Sequence, residues 1–316
     1  MNEKEELFTA KLSAILNLLW GISETSTIVQ IARAYTQHKL TANIKLKQYL
    51  EKKFTIKLPD SWLNALKSHN IFYSFCYGLF KLVPATILAQ GFPVAILMSE
   101  ELKFRQSDYF MQLAELNLGQ NRWNTDIRFL SHRDENLLFK MKTLINSGYK
   151  IIFFIDGNKG IEQPLNNKNL YETTFKQSTL LFHQGFAWLS YLYKTDIIHG
   201  LIITSDNNDI KCKHLGDNIE PNLSKQNFIT SVMSKVIYNL DSLIQINNVD
   251  KWDALLSVYK WIKPQEVKVD DSRFPISKEY YSTFCFGKNE YYLLEHKTFK
   301  VYPTDKEIYN RLKFEL

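Results

Sequence analysis

The stretch Lys150-Ile-Ile-Phe-Phe-Ile-Asp-Gly157 carries the strongest fold signal in this chain. Its apolar run 151–155 has the length and composition of a strand that is buried on both faces. After a polar loop come a second apolar run at 179–182, a helix starting near Gly185 and an apolar strand at 197–203. Such runs, joined through a short helix, indicate neighbouring strands of a buried sheet. Asp-Gly at the end of such a strand is where an α/β protein usually places a ligand.

Strands and helices alternate upstream of this stretch as well. The pattern predicts strands at 70–76, 93–98 and 126–130 and helices at 79–89, 108–118 and 131–147. For the last helix, Ser131 suits an N-cap with Asp134 and Glu135 in the first turn, and Gly148 suits the end. Alternation of this kind predicts an α/β fold with a mixed, largely parallel sheet flanked by helices.

The remaining segments predict three parts along the chain. Residues 1–67 form an N-terminal helical segment, residues 68–262 the α/β core, and residues 263–316 a small α+β appendage. The predicted elements outside the region above are a strand at 210–214, an amphipathic helix at 225–246, a hairpin of strands at 280–286 and 290–294, and a helix at 305–312. The polar stretch 158–178 is predicted to be a functional or mobile loop, because loops of this length are uncommon inside compact domains.

Composition limits the class of protein. A chain of 316 residues with 45% hydrophobic content buries a large core and is not disordered. Three widely spaced cysteines argue against a disulfide framework, and no histidine pair has metal-ligand spacing, so no metal site is predicted. The sequence starts with acidic residues and not with a secretory leader, and its apolar stretches are too short or too interrupted to span a bilayer. These features indicate a cytoplasmic protein and are compatible with contact at a membrane surface.

Charge indicates the chemistry of partners. The formal net charge of +6 favours anionic lipid, an acidic carrier protein or a phosphate-bearing cofactor. Basic residues are not interleaved with aromatic residues on one element, so nucleic acid is not an expected partner.

Two residues are candidates for proton chemistry. His69 precedes the first predicted strand, where an imidazole can take a proton from an alcohol or amine that attacks an acyl donor; the alternative is a surface histidine in a turn. Asp156 either orients His69 or satisfies backbone N–H groups in an Asx turn. His183 lies in a turn where it can line a pocket, whereas His199 lies inside an apolar strand, as core histidines do.

The region 60–205 resembles the lysophospholipid acyltransferase superfamily, and within it the bacterial lipid A type of late acyltransferase. The family has a His followed by a carboxylate in an HxxxxD/E motif ahead of a helix; here the matching stretch is Ser68-His69-Asn-Ile-Phe-Tyr-Ser74. Gly91-Phe-Pro-Val-Ala-Ile-Leu97 is similar to the family's Gly-Tyr-Pro-Val strand. Gly185-Phe-Ala-Trp-Leu-Ser-Tyr-Leu-Tyr-Lys-Thr195 is similar to its Gly-x-Ala-x-Leu-Ala-x-x-Thr-Gly helix.

The resemblance implies an acyltransferase of lipid or natural-product biosynthesis with His69 as general base. The donor is an acyl-CoA or an acyl-carrier-protein thioester, no cofactor is bound permanently, and the acceptor is a hydroxyl or amine. Ser74 stands where the family has its acid, so Asp156 or Ser74 is expected to orient His69. Arg105, Arg128 and Lys159 are candidates for phosphate contacts, with Gly157 and His183 near the substrate. The aromatic residues expected to line an acyl groove are Phe72, Tyr73, Phe75 and Phe80.

Loss of the acid at Ser74 supports an alternative of a different class. In that alternative the chain keeps the acyltransferase-like fold with weakened catalysis and serves as a binding partner for a carrier protein or biosynthetic enzyme. The C-terminal hairpin would recruit that partner.

Overall fold

A computed structural model of the chain describes residues 3–98, 126–131, 134–157, 169–206, 209–263, 276–286 and 289–313. These residues form two compact units. The first combines residues 1–38, 158–184 and 241–316, and the second combines residues 39–157 and 185–240. The predicted division into three consecutive segments stays a prediction, because compactness alone does not mark parts that fold independently.

A six-stranded sheet forms the second unit together with its helices. Its strands are β1 Ile71–Ser74, β2 Val94–Met98, β3 Ile127–Ser131, β4 Lys150–Phe154, β7 Ile197–Asp206 and β8 Asp209–Asn218. They are arranged in the order β3-β2-β4-β1-β7-β8. All neighbouring pairs are parallel except β7 with β8. The predicted α/β class with a mixed, largely parallel sheet is therefore confirmed.

The helices of the described residues are distributed over both units. They are α1 Glu3–Trp20, α2 Thr25–Leu50, α3 Asp60–Ser68, α4 Leu82–Ala89, α5 Leu137–Asn146, α6 Gly185–Leu192, α7 Lys225–Leu243 and α8 Lys306–Lys313. Two 3₁₀ helices, Ile246–Lys251 and Leu255–Trp261, follow α7. In the part of the chain described, no helix alone is long and apolar enough to cross a bilayer, and α1 with α2 passes that test only as a bent pair.

The first unit contains two small antiparallel sheets. One is the hairpin of β5 Leu170–Phe175 and β6 Ser178–His183; the other has the order β11-β10-β9, with β9 Tyr281–Phe286, β10 Glu290–Glu295 and β11 Val301–Thr304. The small C-terminal antiparallel sheet followed by a helix agrees with the predicted appendage.

Burial explains why the central strands read as continuous apolar runs. All four residues of β1 are buried, as are the first four of β4, so side chains on both faces of the sheet are covered. The core on one side contains Trp62 of α3, Phe72 of β1 and Ile152 of β4, packed with most of α4. Such burial on both faces is typical of the central strands of a parallel sheet.

The connections leave β1 and β4 in opposite directions. β1 leads through α4 to β2 on the far side of β4, whereas β4 leads to β7 on the far side of β1. Ligands of open α/β sheets bind outside the carboxyl ends of strands at such a reversal. We call this end, where β1 and β4 finish, the carboxyl edge, and the opposite end, where they begin, the amino edge.

Several local predictions were wrong. The run 179–182 belongs to β6, which pairs with β5 and not with the large sheet, and β5 lies within the predicted loop 158–178. β4 and β7 do not pair with each other, because β1 lies between them. The helix predicted to start at Ser131 begins at Leu137 after Asn136; Ser131 ends β3, and its N–H donates to Asp134 Oδ2 at 3.2 Å. The predicted helix 108–118 lies outside the described residues.

Candidate functional site at the carboxyl edge

Asp156 is the central polar group of the carboxyl edge. It follows β4 and is fully buried, and its Oδ1 accepts a hydrogen bond from the backbone N–H of Cys76 at 2.7 Å. Cys76 follows the neighbouring strand β1, so this bond ties the ends of the two strands together. The sequence left two interpretations of Asp156 open. The structure supports the one in which its carboxylate accepts a hydrogen bond from a backbone N–H group.

The Cys76 thiol lies against the same carboxylate. Burial, followed by the charge of Asp156 and a hydrogen bond to it, raises the pKa of this thiol well above its ordinary value. The thiol is consequently protonated at neutral pH and is a poor nucleophile. The nearby cations Lys39 and Lys81 oppose that rise without reversing it.

Two lysines approach this edge from different elements. Lys39 lies on α2, and Lys81 immediately precedes α4. Burial lowers the pKa of both ammonium groups, that of Lys39 to about 8, and the charge of Lys81 adds to the effect on Lys39. Two partly buried cations close enough to influence each other raise the local positive potential, which favours an anionic ligand.

The connection between β1 and α4 is filled with large side chains. Phe75 and Tyr77 are buried, and Phe80 packs edge-on against Phe154, with ring centroids 5.7 Å apart. Gly78 has a φ of +63°, and a Cβ there would lie 2.6 Å from the carbonyl oxygen of Ile203, so the backbone passes β7 too closely for a side chain. Phe72, Tyr73 and Phe75 are fully buried in the core and Phe80 is half-buried, and the acyl groove expected along these four residues stays a prediction.

His69 lies at the amino edge, two residues before β1. From His69 to Cys76 the chain runs along β1 for a distance on the order of 20 Å. The structure therefore does not bring His69 and Asp156 together, and the expected hydrogen bond between them was wrong. Ser74 does not orient His69 either, because its hydroxyl donates to the carbonyl of Leu201 at 2.7 Å within the sheet.

The neighbours of His69 are two other histidines. Its ring centroid is 4.3 Å from that of His199 on β7, and His199 Nδ1 is 2.9 Å from His214 Nε2 on β8. Burial first, and then the charges of His69 and His214, lower the pKa of His199 to about 4; burial also lowers the pKa of His214. We call these three residues the histidine cluster. His199 is buried in it and neutral at physiological pH, as expected for a core histidine.

Lys150 supports the amino edge. Its ammonium donates to the carbonyl of His69 at 2.8 Å and to Asn70 Oδ1 at 2.6 Å, and it lies 5.0 Å from the ring centroid of Phe92. Burial lowers its pKa to about 8. Sequence reasoning missed this residue, because a lysine at the start of an apolar run looks like a solvated strand end.

The other predicted site residues are scattered or outside the described residues. Arg128 is exposed on β3, and its guanidinium donates to the carbonyl of Ile127 at 3.0 Å. Gly157 follows Asp156 at the carboxyl edge. His183 is exposed at the end of β6 in the first unit. Arg105 and Lys159 lie outside the described residues.

The first unit contains a serine–histidine pair that sequence reasoning did not find. Ser282 Oγ on β9 is 2.7 Å from His296 Nε2, and His296 Nδ1 is 3.0 Å from the carbonyl oxygen of Glu279. The pairing resembles that of a nucleophile and its base. Both side chains are more than nine-tenths buried, however, so the hydroxyl is withdrawn from substrates and the pair acts as an internal hydrogen bond.

Comparisons with known proteins assign no family. No protein-family model matches this chain, and no curated protein matches it either. Among the described residues, no group of three or more histidine, cysteine, aspartate or glutamate side chains has a geometry that could hold a metal ion.

Proposed function

We propose that this chain is a catalytically weakened protein with an acyltransferase-like fold that binds an acyl thioester, on coenzyme A or a carrier protein, without transferring the acyl group. The observation that carries the proposal is the position of His69 and Asp156 at opposite edges of the sheet. A general base at the amino edge has neither of its expected orienting partners. A partner in biosynthesis, such as a carrier protein, fits this role better than a lipid acceptor.

The carboxyl edge supports binding of an anion. The charges of Lys39 and Lys81 both act on the buried Cys76 thiol at this edge, and ammonium groups are the ordinary partners of phosphate. Coenzyme A and the phosphopantetheine arm of a carrier protein both offer phosphate next to a thioester. An anion between the two lysines would offset their mutual repulsion, so binding should be strongest for ligands that keep the phosphate.

Acyl transfer with His69 as general base is the competing proposal. It requires His69 to act without Asp156 or Ser74 as orienting partner, and with the ring of the neutral His199 4.3 Å away between centroids. A neutral imidazole stabilises a neighbouring imidazolium far less than a carboxylate does. Transfer by this route should therefore be slow or absent.

Titration calorimetry with coenzyme A, an acyl-coenzyme A and an acyl-carrier protein tests the proposal, with intact-mass detection of acyl transfer in the same samples. Binding without transfer is expected. Lys39→Gln or Lys81→Gln should weaken binding by roughly tenfold or more, as expected for loss of a charge-assisted hydrogen bond. Lys67→Gln is the matched control, because Lys67 is exposed on α3.

Two results would overturn the proposal. One is equal affinity of the wild type and both lysine variants, which would remove the carboxyl edge as the binding site. The other is acyl transfer by the wild type that disappears in His69→Ala, which would establish the enzyme and give the histidine cluster a catalytic role.

A further inference from the structure

We propose that the second half of α2 and the turn after it dock on an anionic lipid bilayer. This surface, the α2 surface, consists of Leu40, Ile44, Lys47, Glu51 and Lys53. It is separate from the ligand site proposed above, and the inference does not depend on that function.

The apolar part of the α2 surface is exposed to solvent. Leu40 and Ile44 are 55% and 56% exposed, and they lie one turn apart on the same face of the helix. The opposite side of α2 holds the helix in place, because Leu46, Tyr49 and Leu50 pack on the core of the second unit. Leu40 and Ile44 therefore project outward on a helix that is already anchored.

The charge of this region is concentrated. Residues 40–57 contain five lysines and one glutamate, a net charge of +4, against +6 for the whole chain. Lys47 lies on the same face of the helix as Leu40 and Ile44. The ammonium groups of Lys47 and Lys53 lie 3.9 and 2.7 Å from the Glu51 carboxylate, which follows on that face. A basic helix with an exposed apolar face is typical of an element that lies in a membrane interface.

The composition favours lipid over an acidic protein as the occupant. Protein interfaces are enriched in aromatic residues and arginine and depleted in lysine. The α2 surface has exposed aliphatic side chains and lysines, with no arginine or aromatic residue among its five members. Lysines extend well into a headgroup layer, because their long stems lie along apolar surface while the ammonium reaches the phosphates.

Co-sedimentation with phosphatidylcholine vesicles, with and without phosphatidylglycerol, tests the inference. The wild type should bind only vesicles that contain phosphatidylglycerol, and less at high salt. Lys47→Gln with Lys53→Gln should reduce the partition coefficient by about 25-fold, since each lysine near an anionic surface contributes about fivefold. Leu40→Ser with Ile44→Ser should also weaken binding without changing the unfolding midpoint.

The control pair is Leu138→Ser with Phe139→Ser on α5, which is similarly exposed and is followed by Lys140 and Lys142. This control should bind like the wild type. The inference is overturned by absence of binding, by equal binding to neutral vesicles, or by an equal loss in the control pair. It is also overturned if the wild type does not bind the vesicles but binds an acidic carrier protein, and the lysine variant loses that binding. A protein partner would then occupy the surface.

Discussion

Gly200 occupies a position where a single methyl group should destabilise the fold. It lies on β7 directly beside Tyr73 of β1. A Cβ at this position would lie 2.5 to 2.7 Å from Cζ, Cε2 and Oη of the Tyr73 ring. Those distances are far below van der Waals contact, so Gly200→Ala forces the ring to move.

The ring has little room to move. Tyr73 is fully buried and packs edge-on against Phe75 and Phe186, with ring centroids 5.4 and 5.3 Å apart. Its hydroxyl accepts a hydrogen bond from Asn239 Nδ2 at 2.8 Å. Overpacking costs about 1–3 kcal/mol. Loss of the buried hydrogen bond adds about 1–3 kcal/mol.

We therefore expect Gly200→Ala to lower the free energy of unfolding by about 2–6 kcal/mol, a large share of the roughly 5–15 kcal/mol that is typical of folded proteins. Urea denaturation followed by circular dichroism measures the change. Gly185→Ala is the control: a Cβ added there, at the start of α6, would meet no heavy atom within 4 Å, so this variant should be neutral or slightly stabilising.

A double-mutant cycle isolates the clash. Tyr73→Leu removes the three ring atoms that the new methyl would meet, so the penalty of Gly200→Ala should shrink in that background by at least about 1 kcal/mol. Additive effects, or a Gly200→Ala penalty below about 0.5 kcal/mol, would refute the reasoning from Tyr73 packing.

Three further predictions concern the two edges of the sheet. The pKa of His199 is about 4 when folded against 6.5 when unfolded, so the unfolded state binds the additional proton and stability should fall from pH 6.5 towards 4, by roughly 3 kcal/mol at most. The urea midpoint should vary less with pH in His199→Gln than in the wild type. An equal variation in both proteins would contradict the assignment of this pH dependence to His199. Asp156→Ala leaves the Cys76 N–H unpaired and should lower the free energy of unfolding by about 1–3 kcal/mol, measured by thermal or urea unfolding. Asp156→Asn keeps an acceptor and should lower it less. Equal losses of stability in the two variants would argue against this hydrogen bond. Cys76 should react with iodoacetamide only on unfolding, later than the partly exposed Cys212 and Cys285, as peptide mass mapping would report; early labelling would mean that the carboxyl edge is open.

The hydropathy of the sequence predicts the large sheet well, because its central strands are visible as apolar runs. β1, β2 and β4 are short apolar runs between turn residues, and their predicted bounds are within two residues of the observed ones. β5 has no such run: its sequence Leu170-Tyr-Glu-Thr-Thr-Phe175 has three consecutive polar residues at its centre, and the polar composition around it is typical of a loop. Strand pairing also depends on contacts far apart in sequence, so the run 179–182 gives no sign that it pairs with β5 and not with the sheet.

The candidate site is harder to predict, because the order of residues along the chain does not give their positions across a sheet. Asp156 was correctly predicted as a strand-end carboxylate, and its partner Cys76 follows the neighbouring strand. Lys39 approaches from α2, which is distant in sequence, and nothing in its local pattern indicates that position. His199 and His214 meet through β7–β8 pairing, in which His199 lies opposite Gly216, a contact that spacing alone does not reveal.

The separation of His69 from Asp156 has a physical cause. In the family that the chain resembles, the motif histidine precedes a helix, whereas His69 precedes strand β1. The length of that strand therefore separates His69 from the position before the helix. In this chain the residues between β1 and α4 are 75–81, and they include a buried thiol, a buried tyrosine and Lys81. The histidine cluster thus lies at the amino edge of β1, and the Asp156 carboxylate, which accepts a hydrogen bond from the backbone, lies at the carboxyl edge. If Lys39 and Lys81 hold the ligand as proposed, variants of these lysines should change binding and variants of His69 should not, so mutation of one edge at a time tests the two proposals separately.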